Sequence, residues 1–348
     1  MPAVASGKVL VTGANGYVAV WVVRRLLEKG YSVRATVRAE SKGTHLRKIF
    51  AEYGDKLEIV VVADITKPGA FDEAVKGVDA VEHTASPFHF NAKDPAEIVT
   101  PAVNGTLRAL EAVLAHGTSV KRVVVTSSCA AVLSVLPEPH VFNESDWNDQ
   151  SVDLINQQGA DADQVVKYLA SKTLAERAAW EFLEKNKGKI NWDLVVINPP
   201  YVYGPAIHEV ESPEALNESL NAWYRSVFKN LHEPAQASSI GYGFLADWID
   251  VRDVADAHYL ALQKEQAANQ RIIISAGNWK WQDWINTARK FGVETSKGDD
   301  SYDPTVAVHM IQYDVSRAKA VLGINKYYSI EETTKDTIDD FKARGWIN

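Results

Sequence analysis

The chain is expected to fold as an α/β protein, a doubly wound parallel sheet carrying a smaller C-terminal lobe. Three observations predict this. Short β-branched runs alternate with longer helical stretches through the first 200 residues. The runs are apolar on both faces, so each needs cover twice over, and alternating helices supply it. After Pro199-Pro200 the alternation stops, and proline and glycine punctuate the chain at Gly204-Pro205, Pro213, Pro234, Gly241 and Gly243.

The elements follow in order. Lys8–Thr12 (KVLVT) is predicted as a buried strand, Asn15–Lys29 as a helix stopped by Gly30, and Tyr31–Val37 as the second strand. Ser41–Tyr53 reads as a helix and Leu57–Val62 (LEIVVV) as the third strand, with a short helix over Pro68–Lys76. Asp79–Thr84 is the fourth strand and Pro95–His116 a long helix. Arg122–Ser127 (RVVVTS) is the fifth strand, Asp163–Asn186 a helix, and Asp193–Asn198 (DLVVIN) the sixth strand. Residues 1–200 therefore form the dinucleotide-binding unit, to which 246–284 return through Trp248–Lys264 and Arg271–Ser275. Residues 201–245 and about 285–348 are left for the lobe and a covering C-terminal helix.

The bulk properties narrow the function classes. A net charge of −8 argues against a nucleic-acid partner. The single cysteine, Cys129, allows no intrachain disulfide, which predicts a cytosolic protein. No signal-peptide core precedes Lys8, and no apolar run approaches the roughly 18 residues of a membrane helix. The nine histidines form no metal signature, His83 and His89 being irregularly placed in HTASPFH. No metal and no membrane are expected.

The first strand runs into Thr12-Gly13-Ala14-Asn15-Gly16-Tyr17-Val18-Ala19. Gly13 permits a tight turn, Gly16 lets the backbone approach a pyrophosphate, and the following helix offers its N-terminal N–H groups. Such a loop, at the first strand–helix junction of an alternating chain, points to a dinucleotide. At the end of the second strand an NAD enzyme places an acidic residue for the ribose hydroxyls. Here Arg38 stands there, with Lys42 four residues on, and both suit a 2′-phosphate. The expected cofactor is NADPH. Asp64-Ile65 ends the third strand and suits adenine, although Asp64 equally suits a turn before Thr66-Lys67-Pro68.

Tyr168 and Lys172 lie four residues apart in a predicted helix, and no other tyrosine has a lysine at that spacing. One helix face then carries both, roughly 6 Å apart at Cβ. An adjacent ammonium favours the phenolate and is expected to lower the tyrosine pKa, as proton exchange at neutral pH requires. The fifth strand ends Thr126-Ser127-Ser128, where a serine can donate to a substrate carbonyl. Alternation along Val123–Val125 leaves open which serine faces the site.

VTGANGYVA, TVRAESK, HTASPF, PAVNGT, RVVVTSS, YLASKTLAERAAWEF, VINPPYVYGP and WIDVRDVADAH together resemble the extended short-chain dehydrogenases/reductases. The chain is similar in particular to fungal NADPH-dependent methylglyoxal and aldehyde reductases, and to the plant dihydroflavonol and cinnamoyl-CoA reductases. The resemblance implies a Rossmann-like fold and reversible NADPH-dependent reduction of aldehydes and ketones, α-dicarbonyls and prochiral ketones included. It implies Tyr168 as general acid, Lys172 as its ribose-binding partner, and Ser128 on the carbonyl oxygen. It implies cofactor contacts from Gly13, Ala14, Asn15, Gly16, Tyr17, Val18, Arg38, Lys42, Asp64, Ile65, Thr84, Ala85, Ser86, Tyr201 and Ser219. Phe88 and Tyr201 would border the substrate, and Trp223 is a further candidate, although core packing is the preferred reading of it. The fungal reductases often carry an aromatic residue after the serine pair; Cys129 stands there and is expected to reshape the pocket. The family contains monomers and homodimers. Two rival readings of the same fold are a nucleotide-sugar epimerase or dehydratase with tightly held NAD, and a dinucleotide-sensing regulator without catalysis. Arg38 with Lys42 weighs against the first, and the intact Tyr168–Lys172 pair against the second.

Overall fold

Valine-rich segments too short for helices pair side by side at the centre of the molecule. The computed structural model describes residues 4–86, 91–239 and 247–348. Strands β1 (Lys8–Val11), β2 (Ser32–Val37), β3 (Leu57–Val61), β4 (Ala80–His83), β5 (Arg122–Thr126), β7 (Asp193–Asn198) and β10 (Arg271–Ile273) form one sheet in the order β3-β2-β1-β4-β5-β7-β10. Every neighbouring pair is parallel, with Val9 opposite Val33 on one side and Ala80 on the other. The chain reverses direction across the sheet between β1 and β4, which opens a crevice at their carboxyl ends.

Side-chain alternation divides the core in two. Val9, Val11, Val124, Val195 and Ile197 face one layer, and Leu10, Val123, Val125, Leu194 and Val196 the other. Helices α1 (Tyr17–Glu28) and α8 (Val251–Gln263) pack together over the first face. Helices α3 (Ala96–His116) and α5 (Gln164–Lys185) pack together over the second. The expected ends of the α5 segment are its caps: Asp163 accepts from the Val165 N–H, and Asn186 closes the helix.

Two sequence-based helices are corrected. Pro68–Lys76 is a chain of turns, with i→i−3 bonds from Ala70 and Asp72. Gly69 and Gly77, both at positive φ, bracket it, and no helix nucleates, although Phe71 and Val75 are buried. Ser41–Tyr53 is interrupted: α2 is only Thr44–Ile49, with 3-10 turns at Glu40–Gly43 and Ala51–Lys56. Gly54 takes φ +51° inside the second turn.

Beyond the large sheet, β8 (Tyr201–Tyr203), β9 (Asp247–Asp250) and β11 (Gly277–Asn278) form a small sheet, and β6 (His140–Phe142) pairs with β12 (Ile311–Tyr313). Helix α4 (Asp149–Gln158) packs on α5, while α6 (Glu218–Phe228), α7 (Pro234–Ser239), α9 (Trp281–Arg289) and α10 (Ile330–Ala343) complete the C-terminal part. Its core is aromatic: Trp223, Trp284, Trp248, Tyr203 and Phe341 meet largely edge to face. Among the described residues, no helix is long and apolar enough to cross a membrane.

Candidate active site

The carboxyl ends of β1 and β4 are locked together by one hydroxyl. Thr12 Oγ1 accepts from the Thr84 and Ala85 N–H groups at 3.1 and 3.0 Å and bonds His83 Nδ1 at 3.0 Å. Burial, with a smaller contribution from Lys172, pushes His83 down to about 4, so the ring is neutral at physiological pH. The next residue, Gly13, turns at φ +63°; a Cβ there would also lie 3.1 Å from Ala85. Its N–H donates to Thr36 Oγ1 at 3.1 Å. Glycine is thus required on both conformational and steric grounds. Thr12 and Thr36 were not singled out from the sequence, because neither touches the groove through a charge or a glycine.

Two cavities meet at Gly13, Gly16 and Thr84. The first, about 690 Å³, is a groove on the β1–β2–β3 side. Its walls bring together Asn15, Arg38, Lys42, Asp64, Ile65, Ala85 and Ser86 with the glycine loop. No side chain caps α1, whose N-terminus follows Gly16 at the meeting point of the cavities. Arg38 makes no hydrogen bond or ion pair among the described residues, whereas Lys42 is held by Glu209 at 3.3 Å. Glu40, the acidic neighbour, is occupied by Arg47. Asp64 makes the turn the sequence allowed: its Oδ1 accepts from the Thr66 N–H and hydroxyl, which hold the carboxyl below its usual range. Ala14 does not line the groove. It is fully buried, and its N–H is taken by the Thr36 carbonyl. Free space, an uncapped helix start and an unpaired guanidinium fit a phosphorylated dinucleotide.

The second cavity, about 540 Å³, lies beneath α5, the Pro199–Val202 segment and the start of α6. Tyr168, Lys172 and Ser128 share its wall with Tyr17, Val18, Tyr201 and Ser219. Both serines of the pair line the cavity: Ser128 hydrogen-bonds the Tyr168 hydroxyl, while Ser127 Oγ donates to Glu176 at 2.6 Å. Lys172 Nζ reaches Ser86 Oγ at 3.3 Å, joining the two cavities. Tyr17 is fixed by donating to the Gly204 carbonyl at 2.9 Å, and Ser219 by donating to the Val202 carbonyl at 2.8 Å. Asn217, Glu218 and Gln164 also line this cavity, and no sequence motif announced them.

Three sequence expectations change. Burial pushes Tyr168 up to about 12 against the opposing hydrogen bond from Ser128; Lys172 does not lower it. Lys172 itself is pushed down to about 8 by burial, with Glu176 acting in the opposite sense. Cys129 is not in the cavity wall. The 3-10 turn Cys129–Ala131 directs its side chain into a core with Leu169, Ile273 and Tyr313, its thiol donates to the Asn198 carbonyl at 3.2 Å, and burial raises its pKa. Trp223 is also in the core: with Leu220, Tyr224 and Val227 it forms the buried stripe of α6, against Trp284 and Phe341. Phe88, expected beside the substrate, lies outside the described residues.

The model of the NAD dependent epimerase/dehydratase family matches residues 9–277. A putative NADPH-dependent methylglyoxal reductase of Candida albicans is 36% identical over 96% of this chain and 98% of its own. Aldehyde reductase 2 of Sporidiobolus salmonicolor is 36% identical over 95% and 94%. The crystal structure of yeast methylglyoxal/isovaleraldehyde reductase complexed with NADPH superposes with a TM-score of 0.84 at 33% identity, covering 98% of this chain and all of that one. The chain belongs to the NAD dependent epimerase/dehydratase family, within the extended short-chain dehydrogenases/reductases.

Proposed function

We propose that this protein reduces small aldehydes and ketones to alcohols with NADPH, reversibly. The observation that carries the reading is the Tyr168 hydroxyl hydrogen-bonded to Ser128 on the cavity wall that also holds Lys172. Relatives named as NADPH-dependent methylglyoxal and aldehyde reductases support it. Gly13 and Gly16 would admit the pyrophosphate, the start of α1 would face it, and Arg38 would take the 2′-phosphate. When bound, NADPH supplies a hydride for the carbonyl carbon.

The chain's own groups handle the oxygen. Ser128 and Tyr168 present two hydroxyls to it and stabilise the negative charge that develops there. Tyr168, at about 12, is protonated at neutral pH, so it is ready to donate to the nascent alkoxide. Lys172, at about 8, is mostly an ammonium at pH 7 and faces Ser86 at the junction with the groove. The same reading assigns residues 1–200 and 246–284 to cofactor binding, and 201–245 with about 285–348 to the substrate lobe. Replacing the acid tests it. Tyr168→Phe should keep NADPH affinity within about twofold and lose roughly 100- to 10,000-fold in kcat, the range of general-acid catalysis. Near-normal turnover would end the proposal.

A further inference from the structure

Lys172 is followed one turn later on α5 by a carboxylate that the reaction does not use directly. Glu176 is 1% exposed, beside α5's partner strands and away from solvent. Its Oε2 accepts from Ser127 Oγ at 2.6 Å and Asn198 Nδ2 at 2.8 Å. Its Oε1 accepts from Arg271 Nε and from Trp180 Nε1 at 3.3 Å. Four donors converge on this one buried carboxyl.

Trp180 lies one turn on along α5; the other three donors stand on or just past β5, β7 and β10, and each of these bears on the catalytic loop. Asn198, at the end of β7, also donates to the Ser128 carbonyl at 3.1 Å. Arg271, on β10, is 6% exposed and donates to the Ala131 carbonyl at 2.9 Å, in the turn just after Ser128. It also donates to the Glu144 and Asp146 carbonyls, and its guanidinium lies 3.8 Å from the Trp147 ring centre. Glu176 therefore anchors Ser127 directly and Ser128 through two intermediaries. A buried, fully bonded pair of this kind is a poor source of net stability but a rigid reference for its surroundings.

We propose that Glu176 is a positioning residue for the carbonyl reduction. It clamps the ends of β5 and β7 beneath Ser128 and provides the fixed negative charge one helical turn behind Lys172. This rests on the function proposed above. Among the described residues, the groups around the Lys172 ammonium are Glu176 one turn on along α5, neutral His83 at the end of β4, the Ser86 hydroxyl, and Tyr168 on the same cavity wall. Of these, Glu176 is the charge that favours the protonated lysine.

The test compares Glu176→Gln and Glu176→Asp with the intact protein, using NADPH and one carbonyl substrate across pH 6 to 10. Glu176→Gln keeps the shape and removes the charge. Its alkaline limb in kcat should move to lower pH by roughly half to one unit, with kcat at neutral pH down roughly 10-fold from loosened geometry. KM for NADPH should stay within about twofold, because no groove residue is touched. Glu176→Asp keeps the charge but shortens the reach, so the limb should stay in place while kcat falls. A purely structural role predicts lower melting temperature and lower active fraction with an unmoved limb, and that result overturns the proposal. If the glutamine variant does not fold, the aspartate variant decides, with kcat counted per NADPH-binding site so that a lost active fraction does not enter: wild-type kcat per site overturns the clamp, and a reduced kcat per site supports it. An intact protein that oxidises no NADPH with any carbonyl strikes the proposed function instead.

Discussion

The two halves of the crevice are built in opposite ways. Every residue lining the cofactor groove falls between Gly13 and Ser86, and most stand at or just past the carboxyl end of β1, β2, β3 or β4. The carbonyl cavity draws instead on the glycine loop, the end of β5, the first turns of α5, the Pro199–Val202 segment and the start of α6. A groove made from strand ends inherits its geometry from the parallel sheet. A cavity made from distant helix starts depends also on how the C-terminal part packs around it.

The strongest way to break this contrast is to damage the aromatic packing of the C-terminal part. Trp223→Ala should cost about 3–5 kcal/mol of stability, read as a lower denaturation midpoint, with the cofactor preference of the surviving folded fraction unchanged. A variant of normal stability with altered substrate selectivity would return Trp223 to the pocket wall. Next comes the groove's own determinant. Arg38→Glu should lower kcat/KM for NADPH by roughly 10- to 100-fold, the worth of one or two charge-assisted contacts, and leave NADH little affected. Equal losses with both cofactors would mean that Arg38 supports the fold rather than the phosphate.

A smaller effect reports on the junction. Lys172 is held near 8, so the ammonium is lost as pH rises through that value. Reduction at saturating substrate should therefore decline above about pH 8; a flat rate to pH 10 would separate Lys172 from turnover. The smallest effect belongs to Cys129. Cys129→Ala should lower stability by about 1 kcal/mol and change KM for the carbonyl less than about twofold. A large KM change would place the thiol at the substrate.

The same contrast explains what could be read from the sequence. Strand alternation placed the sheet, and Gly13, Gly16, Arg38 and Asp64 were legible because each stands beside a strand end. Tyr168 and Lys172 stood out through helical spacing; strand alternation did not separate Ser127 from Ser128, which only the family resemblance chose, and the bond from Ser127 to Glu176 depends on tertiary packing. Cys129 was misplaced, and the pocket alternative for Trp223 gave way to its preferred core packing, for a related reason. Adjacent residues in a 3-10 turn, or opposite faces of one amphipathic helix, point to different surroundings, and only tertiary packing decides which is wet. The lost helix at Pro68–Lys76 shows local glycine geometry overriding an apolar period.

The central claim is that Arg38 and the glycine loop hold NADPH while Ser128 and Tyr168 receive a carbonyl. Absorbance at 340 nm with a panel of aldehydes, ketones and α-dicarbonyls tests both halves at once. The account predicts net oxidation of NADPH, dependent on the carbonyl, with kcat/KM at least about 10-fold above that for NADH. Preference for NADH, or bound NAD that copurifies and is never consumed, would contradict it.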